Sequence, residues 1–274
     1  MTQAATPEYV SILSVQVDRV TQAQAIEFID ELITAYRGAK RDGQSGQSGQ
    51  GGQGGHDTLP IACQQVVTAN TEFVMEAQHN APFRQCINDA ALCVADGAGL
   101  IWASRYLGKP LPERVTGTDL LAALASRCAD RGYRLYLLGA APGVAELAAQ
   151  RLQQLAPGLQ IAGTYAGSPA RGEELAIIER VRAASADVLC VAYGAPAQEL
   201  WITRNRARLP VAVAMGVGGA YDFLAGRQKR APRLLQRLSL EWLYRLYREP
   251  WRWRRMLALP HFVLLLLVKG RTTS

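Results

Sequence analysis

Short apolar runs alternate along the chain with longer stretches in which apolar residues recur every three or four positions. Most of the short runs are followed by Gly, Asp or Asn, which is typical of strands, whereas the longer stretches have the period of amphipathic helices. Strands are predicted at Tyr9–Val17, Gln65–Ala69, Ala91–Ala95, Arg134–Gly139, Leu159–Thr164, Asp187–Tyr193 and Val211–Met215. Helices are predicted at Gly117–Asp130, Gly143–Leu155, Gly172–Ala184 and Pro196–Leu209. The alternation predicts an α/β domain with a mainly parallel sheet flanked by helices.

Polar residues and glycines occur where the predicted strands end. In parallel sheets, ligands bind in the crevice outside the carboxyl ends of the strands. The residues at these ends are Thr68, Asn70, Asp96, Gly139, Tyr193, Gly194 and Gly216. Their common position predicts a functional site along this edge of the sheet.

Two segments differ in composition from the α/β pattern. Residues 38–57 are rich in Gly, Gln and Ser, so they cannot bury apolar surface, and the sequence predicts a flexible surface insertion. After Gly226 the chain becomes rich in Arg, Leu and Trp. We therefore divide the chain into an α/β catalytic domain (1–226) and a basic amphipathic C-terminal appendage (227–274).

The positive charge of the chain resides in the appendage. Residues 1–226 carry 18 Lys and Arg against 21 Asp and Glu, whereas residues 227–274 carry 12 against two. Arg245, Arg252 and Arg255 share one face of a continuous helix, and Trp and Tyr residues are interleaved with the basic ones. A basic helix with aromatic residues is typical of a peripheral contact with an anionic membrane surface, here assigned to residues 227–268.

The apolar segment Met256–Val268 has only thirteen residues, with Pro260 and His261 inside it. A spanning helix needs about 20 residues, so this segment is predicted to lie in or dip into one leaflet. A packed C-terminal helix with a solvated basic face is the alternative. Nucleic-acid binding is disfavoured because the sequence contains no DNA- or RNA-reading motif.

Cysteine and histidine usage gives no sign of a metal centre. The five cysteines are scattered singly, which indicates reduced, buried thiols in a cytosolic protein, and the three histidines are isolated. Neither a CxxC nor an Asp-x-Asp motif occurs, so no metal ligands and no cofactor are predicted. The N-terminus does not have the pattern of a signal peptide. Arginines and backbone amides would have to stabilise any diphosphate leaving group.

Asp96 is the most unusual charged residue of the predicted sheet edge. It follows the apolar run Ala91–Ala95 and precedes Gly97, and Arg114 lies eighteen positions further on. A carboxylate at the end of a strand can act as a general base. An Asp-Gly turn in which Asp96 caps the following helix explains these residues equally simply.

Other strand ends also have two interpretations. Thr68 and Asn70 could hydrogen-bond sugar hydroxyls or phosphate, but Asn70 could equally be a helix N-cap. Gly139 begins a glycine turn that fits a weak phosphate site or an ordinary strand-to-helix connection. Gln198 and Glu199 could face a pocket or be ordinary residues of a first helical turn.

Taken in order, these motifs resemble the WecG/TagA/CpsF family of glycosyltransferases, and the match covers about residues 60 to 258. Each motif is weak alone, whereas the ordered set is specific. The basic tail also matches, through its Arg-Ala-Pro, Glu-Trp-Leu-x-Arg-Leu and Glu-Pro-x-Arg segments. The matching motifs are Thr68-Ala-Asn70, Ala95-Asp96-Gly97-x-Gly99, Arg114-Val-x-Gly117-x-Asp119-Leu120, Leu138-Gly139-x-x-Pro142-Gly143, Gly194-x-Pro196-x-Gln198-Glu199 and Gly216-Val-Gly218.

The resemblance implies an inverting, metal-independent transfer of a hexose or N-acetylhexosamine-type sugar from a UDP-sugar donor. The implied acceptor is a sugar on undecaprenyl diphosphate, a polyprenyl diphosphate, at the cytoplasmic face of the bacterial inner membrane, in surface polysaccharide biosynthesis. The implied fold is a Rossmann-like α/β core with a helical membrane appendage. The alternative function is a non-catalytic module that binds a nucleotide or an anionic lipid.

The resemblance also assigns roles to residues. Asp96 would be the general base, and Thr68, Asn70 and Gln198 would line the pocket and orient the sugars. The arginine positions would contact phosphate groups of the substrates. Those arginines are Arg114 in the core and Arg245, Arg252 and Arg255 in the appendage. We also predict, from the glycine turns, that the nucleotide lies near Gly139, Tyr193, Gly194 and Gly216.

Overall fold

The computed structural model describes residues 7–45, 62–228, 232, 244 and 258–269. Within these residues, six parallel strands form one sheet in the order β4-β3-β8-β7-β5-β6, and β1 and β2 form a separate antiparallel hairpin. This architecture confirms the predicted α/β fold class. The strands are β1 (Tyr9–Ile12), β2 (Val15–Asp18), β3 (Gln64–Ala69), β4 (Leu92–Ala95), β5 (Arg134–Gly139), β6 (Gln160–Tyr165), β7 (Val188–Ala192) and β8 (Val213–Gly216).

Helices cover both faces of the sheet because its strands are apolar on both sides. One face packs against α1, α5, α6 and α9, and the other packs against the hairpin, α2–α4, α7, α8 and α10. The helices are α1 (Gln22–Ser45), α2 (Thr71–His79), α3 (Ala81–Asn88), α4 (Ala98–Tyr106), α5 (Gly117–Arg131), α6 (Val144–Leu155), α7 (Glu174–Ala183), α8 (Ala197–Asn205), α9 (Ala220–Leu224) and α10 (Ala258–Lys269).

The N-terminal segment differs from its prediction. Tyr9–Val17 was expected to form one strand, but Leu13 and Ser14 have φ values of 51° and 68° and turn the chain. Two strands result, and Val10 pairs with Val17. The apolar positions shift by three residues between Ile12 and Val15, which breaks the alternation that a single strand requires.

The insertion predicted at residues 38–57 begins later than expected. Helix α1 continues to Ser45, so residues 38–45 are helical, and the rest of the predicted loop lies outside the described residues. Just before this stretch, Arg37 donates two hydrogen bonds to the Asp187 carboxylate at 2.8 and 2.7 Å. This ion pair fixes the helix to the sheet, and Ala39, Lys40 and Arg41 have helix-forming side chains that continue it.

The apolar end of the appendage packs on the α/β core. Helix α10 contacts α2 and buries Phe262 and Leu266 in the same cluster as the hairpin and α4. Leu264, Leu267 and Val268 remain exposed on its outer side. Across the described part of the chain, every helix is too short or too polar to cross a bilayer.

Candidate active site

Parallel strands bring the predicted functional residues to one edge of the sheet. The carboxyl ends of β4, β3, β8 and β7 are neighbours in that order, and they lead into Asp96, Asn70, Val217 and Tyr193. Adjacent strands lie about 4.8 Å apart, so these four ends span roughly 14 Å. The four predicted site segments therefore lie side by side along one edge of the sheet.

Asp96, Thr68 and the start of helix α5 meet at Gly117. Asp96 Oδ2 accepts a hydrogen bond from the Gly117 N–H at 3.0 Å. A Cβ atom at position 117 would lie 3.2 Å from Thr68 Oγ1 and 3.5 Å from Asp96 Oδ2. The half-buried Asp96 carboxyl group is thus held beside Thr68 by an α-helix N-terminus, which favours negative charge.

The chain segment before α5 crosses the end of β4. The Val115 N–H donates to the Ala95 carbonyl at 2.8 Å, so Arg114 lies directly beside the Asp96 backbone and is half-buried. Thr116 caps α5, because its Oγ1 accepts from the Asp119 N–H at 3.2 Å while its hydroxyl donates to Asp119 Oδ2 at 2.7 Å. The backbone of Arg114 therefore lies at the end of β4, whereas the Asp119 side chain serves the helix cap.

Asn70 has the capping role that the sequence left open. Its Oδ1 accepts from the Phe73 N–H at 3.1 Å, at the start of α2. A Cβ at Gly97 would lie 3.4 Å from Asn70 Cβ, and one at Gly99 would collide with Thr71 Cγ2. The glycines after Asp96 thus let the loops that follow β3 and β4 pack directly together, and they bring Asn70 next to Asp96.

Gln198, which the resemblance assigns to the sugars, is almost completely buried between two loops of the sheet edge. It is 3% exposed, and its Oε1 accepts from the N–H groups of Gly194 and Gly218, each at 3.1 Å. Its Nε2 donates to Glu199 Oε1 at 2.7 Å. The contact of Gln198 with sugars stays a prediction; in the structure its amide group is engaged by the protein and links the loop after β7 to the loop after β8.

Glu199 is the functional candidate that the sequence left undecided. Burial raises its pKa to about 7, although the hydrogen bond from Gln198 opposes this shift. Glu199 Oε2 is buried without a hydrogen-bond partner in the described structure. A Cβ at Gly216 would lie 2.5 Å from Gln198 Nε2 and still closer to Glu199 Oε1, so Gly216 is needed for this packing.

Two residues of the predicted nucleotide site, Gly139 and Tyr193, have packing roles in the structure. Gly139 has a φ of 98°, and its Cβ would lie 2.7 Å from the Ala192 carbonyl carbon and oxygen, so it permits close contact between β5 and β7. Tyr193 turns its hydroxyl into the interior, where burial holds the pKa of that group well above its ordinary value. Its ring packs against Trp201 with centroids 6.0 Å apart. The contact of these two residues with a nucleotide stays a prediction.

Gly194 remains compatible with a close ligand contact. It has a φ of 78°, and a Cβ there would meet no atom within 4 Å. The predicted phosphate-binding residues Arg245, Arg252 and Arg255 lie outside the described residues. Helix α10 starts beside the site, since Leu259 Cδ1 lies 3.6 Å from the position of a Cβ at Gly99.

Among the residues that the structure describes, no three His, Cys, Asp or Glu side chains lie close enough to share an ion. The five cysteines, which the sequence predicted to be buried thiols, are all buried and unpaired with one another.

The fold and the site define an α/β protein with a half-buried carboxylate at the carboxyl edge of a parallel sheet. The family model "Glycosyl transferase WecG/TagA/CpsF family" matches residues 58–274. The chain belongs to this family and is a glycosyltransferase, as the motifs indicated.

Curated relatives agree with this membership. The chain is 37% identical over 209 residues to the N-acetylglucosaminyldiphosphoundecaprenol N-acetyl-β-D-mannosaminyltransferase of Bacillus spizizenii strain W23, covering 76% of this chain and 80% of the relative. Proteins with the same name from Bacillus subtilis strain 168 and Staphylococcus aureus strain MW2 are 32% and 33% identical. These matches cover 74% and 72% of this chain, and 78% and 77% of the respective relatives.

Proposed function

We propose that this glycosyltransferase transfers a hexose or N-acetylhexosamine-type sugar from a UDP-sugar to a sugar linked to undecaprenyl diphosphate. The reaction inverts the anomeric configuration and needs no metal ion, and it contributes to the synthesis of a surface polysaccharide. The observation that supports the proposal is the half-buried Asp96 carboxylate at the carboxyl end of β4, where the Gly117 N–H holds it close to Thr68 and where the backbone of Arg114 also passes.

The chemistry requires a base for the acceptor. Asp96 would take the proton from an acceptor hydroxyl as that oxygen forms a bond to the anomeric carbon. The bond between the anomeric carbon and the UDP oxygen breaks at the same time, and UDP leaves with the bonding electron pair. Attack from the side opposite UDP inverts the configuration, so one carboxylate is sufficient.

Neighbouring residues would orient the two sugars and stabilise the leaving group. Thr68 and Asn70 border Asp96, and we assign them to sugar hydroxyls, although Asn70 Oδ1 already caps α2. Arg114 would contact phosphate oxygens, because a guanidinium group can donate two parallel hydrogen bonds to them. Fixed positive groups at developing negative charge can replace a metal ion. We assign the same role to Arg245, Arg252 and Arg255.

The enzyme would work as a peripheral protein on the cytoplasmic face of the plasma membrane. The net positive charge of residues 227–274 suits an anionic membrane surface. Leu264, Leu267 and Val268 add exposed apolar surface on α10, the helix whose first turn lies near Gly99. This arrangement would bring the carboxylate edge of the sheet close to a lipid-linked acceptor.

The named relatives suggest the acceptor class. Their name describes transfer of N-acetylmannosamine to N-acetylglucosaminyl diphosphoundecaprenol. We propose the same type of acceptor for this chain and leave the donor sugar to experiment, because the described contacts do not distinguish one hexose from another.

A donor panel tests the proposal. Purified full-length protein would be incubated with UDP-linked N-acetylmannosamine, N-acetylglucosamine, glucose or galactose and a short-chain lipid-diphosphate N-acetylglucosamine, with and without EDTA. Release of UDP and a glycosylated lipid would be measured. We expect transfer from one donor, unchanged by EDTA. UDP binding without transfer from any donor would favour the non-catalytic alternative.

Asp96→Asn tests the proposed base. An amide can still accept the Gly117 N–H, so the fold should persist while the rate falls by roughly 10²–10⁴-fold. Asp130→Asn, at the exposed far end of α5, is the matched control and should retain full activity. Full activity of Asp96→Asn would disprove the assignment of the base.

A further inference from the structure

The side chains of Gln198 and Glu199 form a hydrogen-bonded clamp that joins the loop after β7 to the loop after β8, at the carboxyl edge of the sheet. Gln198 Oε1 accepts N–H groups from Gly194, after β7, and from Gly218, after β8. Its Nε2 has a separate partner, Glu199 Oε1, at 2.7 Å. All three hydrogen bonds use a side chain that is almost completely buried.

The orientation of the Gln198 amide depends on Glu199. If the amide group rotated by half a turn, Nε2 would face two N–H donors and both loop contacts would be lost. Glu199 Oε1 provides the acceptor that fixes Nε2 on the opposite side. A buried amide nitrogen without an acceptor is strongly disfavoured, so removal of this acceptor should release the clamp.

The clamp is itself anchored to the strand that bears Thr68. Gln65 Nε2, on β3, donates to the Glu199 carbonyl at 3.2 Å. The Thr203 hydroxyl donates to Gln65 Oε1 at 2.8 Å and orients that amide. Side-chain amides therefore connect three adjacent strands just beneath the edge that carries the candidate site.

We propose that Glu199 is a positioning residue for the donor half of the active site: it fixes the Gln198 amide, which holds the Gly194 and Gly218 loops in the form that binds the UDP-sugar. This inference rests on the proposed function. The requirement is for a hydrogen-bond acceptor at position 199, and a negative charge is not needed. Gly194, where a Cβ would meet no neighbouring atom, is the part of the clamp open to a ligand.

Three variants test the clamp. Glu199→Met removes the acceptor at similar size, whereas Glu199→Gln retains it. A double variant that exchanges the two residues, Gln198→Glu with Glu199→Gln, restores a donor (now at 199) opposite an acceptor (now at 198). The single variant Gln198→Glu places two carboxyl groups together. The readouts are amide hydrogen exchange at Gly194 and Gly218, KM for the UDP-sugar, and kcat.

Glu199→Met should raise the KM for the donor about 10-fold or more, change kcat by less than about 3-fold, and speed exchange at both glycines. Glu199→Gln keeps Oε1 as the acceptor but places an amide NH2 in the position of the unpartnered Oε2, so it should lower the overall stability while both glycine amides stay protected and KM stays within about 2-fold of the parent. The exchanged pair should regain the amide protection that Gln198→Glu alone loses.

Several results would overturn the inference. If Glu199→Gln lost the glycine protection and raised KM as much as Glu199→Met, an acceptor oxygen at position 199 would not be sufficient and the inference would fail. Glu199→Met with unchanged amide hydrogen exchange and unchanged KM would exclude the clamp. So would a double variant, Gln198→Glu with Glu199→Gln, whose Gly194 and Gly218 amides were as unprotected as those of Gln198→Glu alone. If the parent protein neither bound UDP nor transferred sugar, the proposed function would fail, and the exchange data would still decide whether Glu199 holds the two loops.

Discussion

The close packing of the Thr68 and Asp96 side chains on Gly117 can be tested by adding a single methyl group at position 117. In Gly117→Ala the new Cβ would lie 3.2 Å from Thr68 Oγ1 and 3.5 Å from Asp96 Oδ2. The first contact is a few tenths of an ångström too short, so the two side chains must separate slightly. Because a misplacement of about 1 Å costs roughly 10²-fold in rate, we expect kcat to fall about 3- to 5-fold.

Stability should move in the opposite direction. Alanine at a helical position is favoured over glycine by about 0.4–1 kcal/mol, and the backbone at Gly117 does not have a positive φ. For a chain of this size the melting temperature should stay constant or rise by about 1–4 °C. The variant would therefore be a slower enzyme with a fold at least as stable as the parent's.

The assay pairs steady-state transfer kinetics with thermal unfolding. Gly172→Ala is the matched control, because a Cβ there meets no atom within 4 Å and its φ is ordinary. It should leave kcat unchanged. A Gly117→Ala enzyme with full kcat would show that the Thr68–Asp96 spacing is irrelevant to catalysis, and a destabilised one would refute our estimate of the packing.

Three further predictions concern the supports of the site. Gly139→Ala should lower the free energy of unfolding by about 2–5 kcal/mol, because it adds backbone strain to a collision with Ala192. The control Gly132→Ala has the backbone strain without the collision and should lose about 1–2 kcal/mol. Denaturant unfolding measures both, and equal losses would contradict the prediction. Burial raises the pKa of Asp18 to about 6 in the folded state, above its unfolded value, so the parent loses stability as pH rises from about 4 through 6. Asp18→Asn keeps a hydrogen-bond acceptor for the Cys93 N–H but cannot ionise. After allowance for partial exposure, it should be about 1–3 kcal/mol more stable than the parent at pH 8 and no more stable at pH 4. The same stability difference at both pH values would refute this prediction. Replacing the exposed aliphatic side chains of α10 by serine should weaken sedimentation with anionic vesicles at least about 10-fold. Leu175→Ser, on α7, is the control, and unchanged sedimentation of the α10 variant would exclude its membrane contact. The replaced residues are Leu264, Leu267 and Val268.

The sequence predicts the sheet well because local periodicity and strand-end residues determine it. The sequence also predicts that Asp96, Thr68 and Asn70 lie at one edge, because the carboxyl ends of parallel strands all lie at the same edge of the sheet. The hairpin at Leu13 was missed because β1 and β2 are short and only two residues apart, so their apolar residues look like one long run in the sequence. Burial of Gln198 was missed because it depends on Gly218, which is distant in sequence and becomes adjacent only when β7 and β8 pair.

Several candidate substrate-binding side chains share a second task, which determines how they can be studied. Asn70 accepts the Phe73 N–H, Asp96 accepts the Gly117 N–H, and Gln198 accepts two N–H groups. Each bond fixes a loop or a helix start at the open edge of the sheet. Alanine at any of these positions would remove a ligand contact and a backbone contact together. Loss of activity in an alanine variant therefore cannot assign a catalytic role, whereas variants that keep the acceptor oxygen can separate chemistry from loop position.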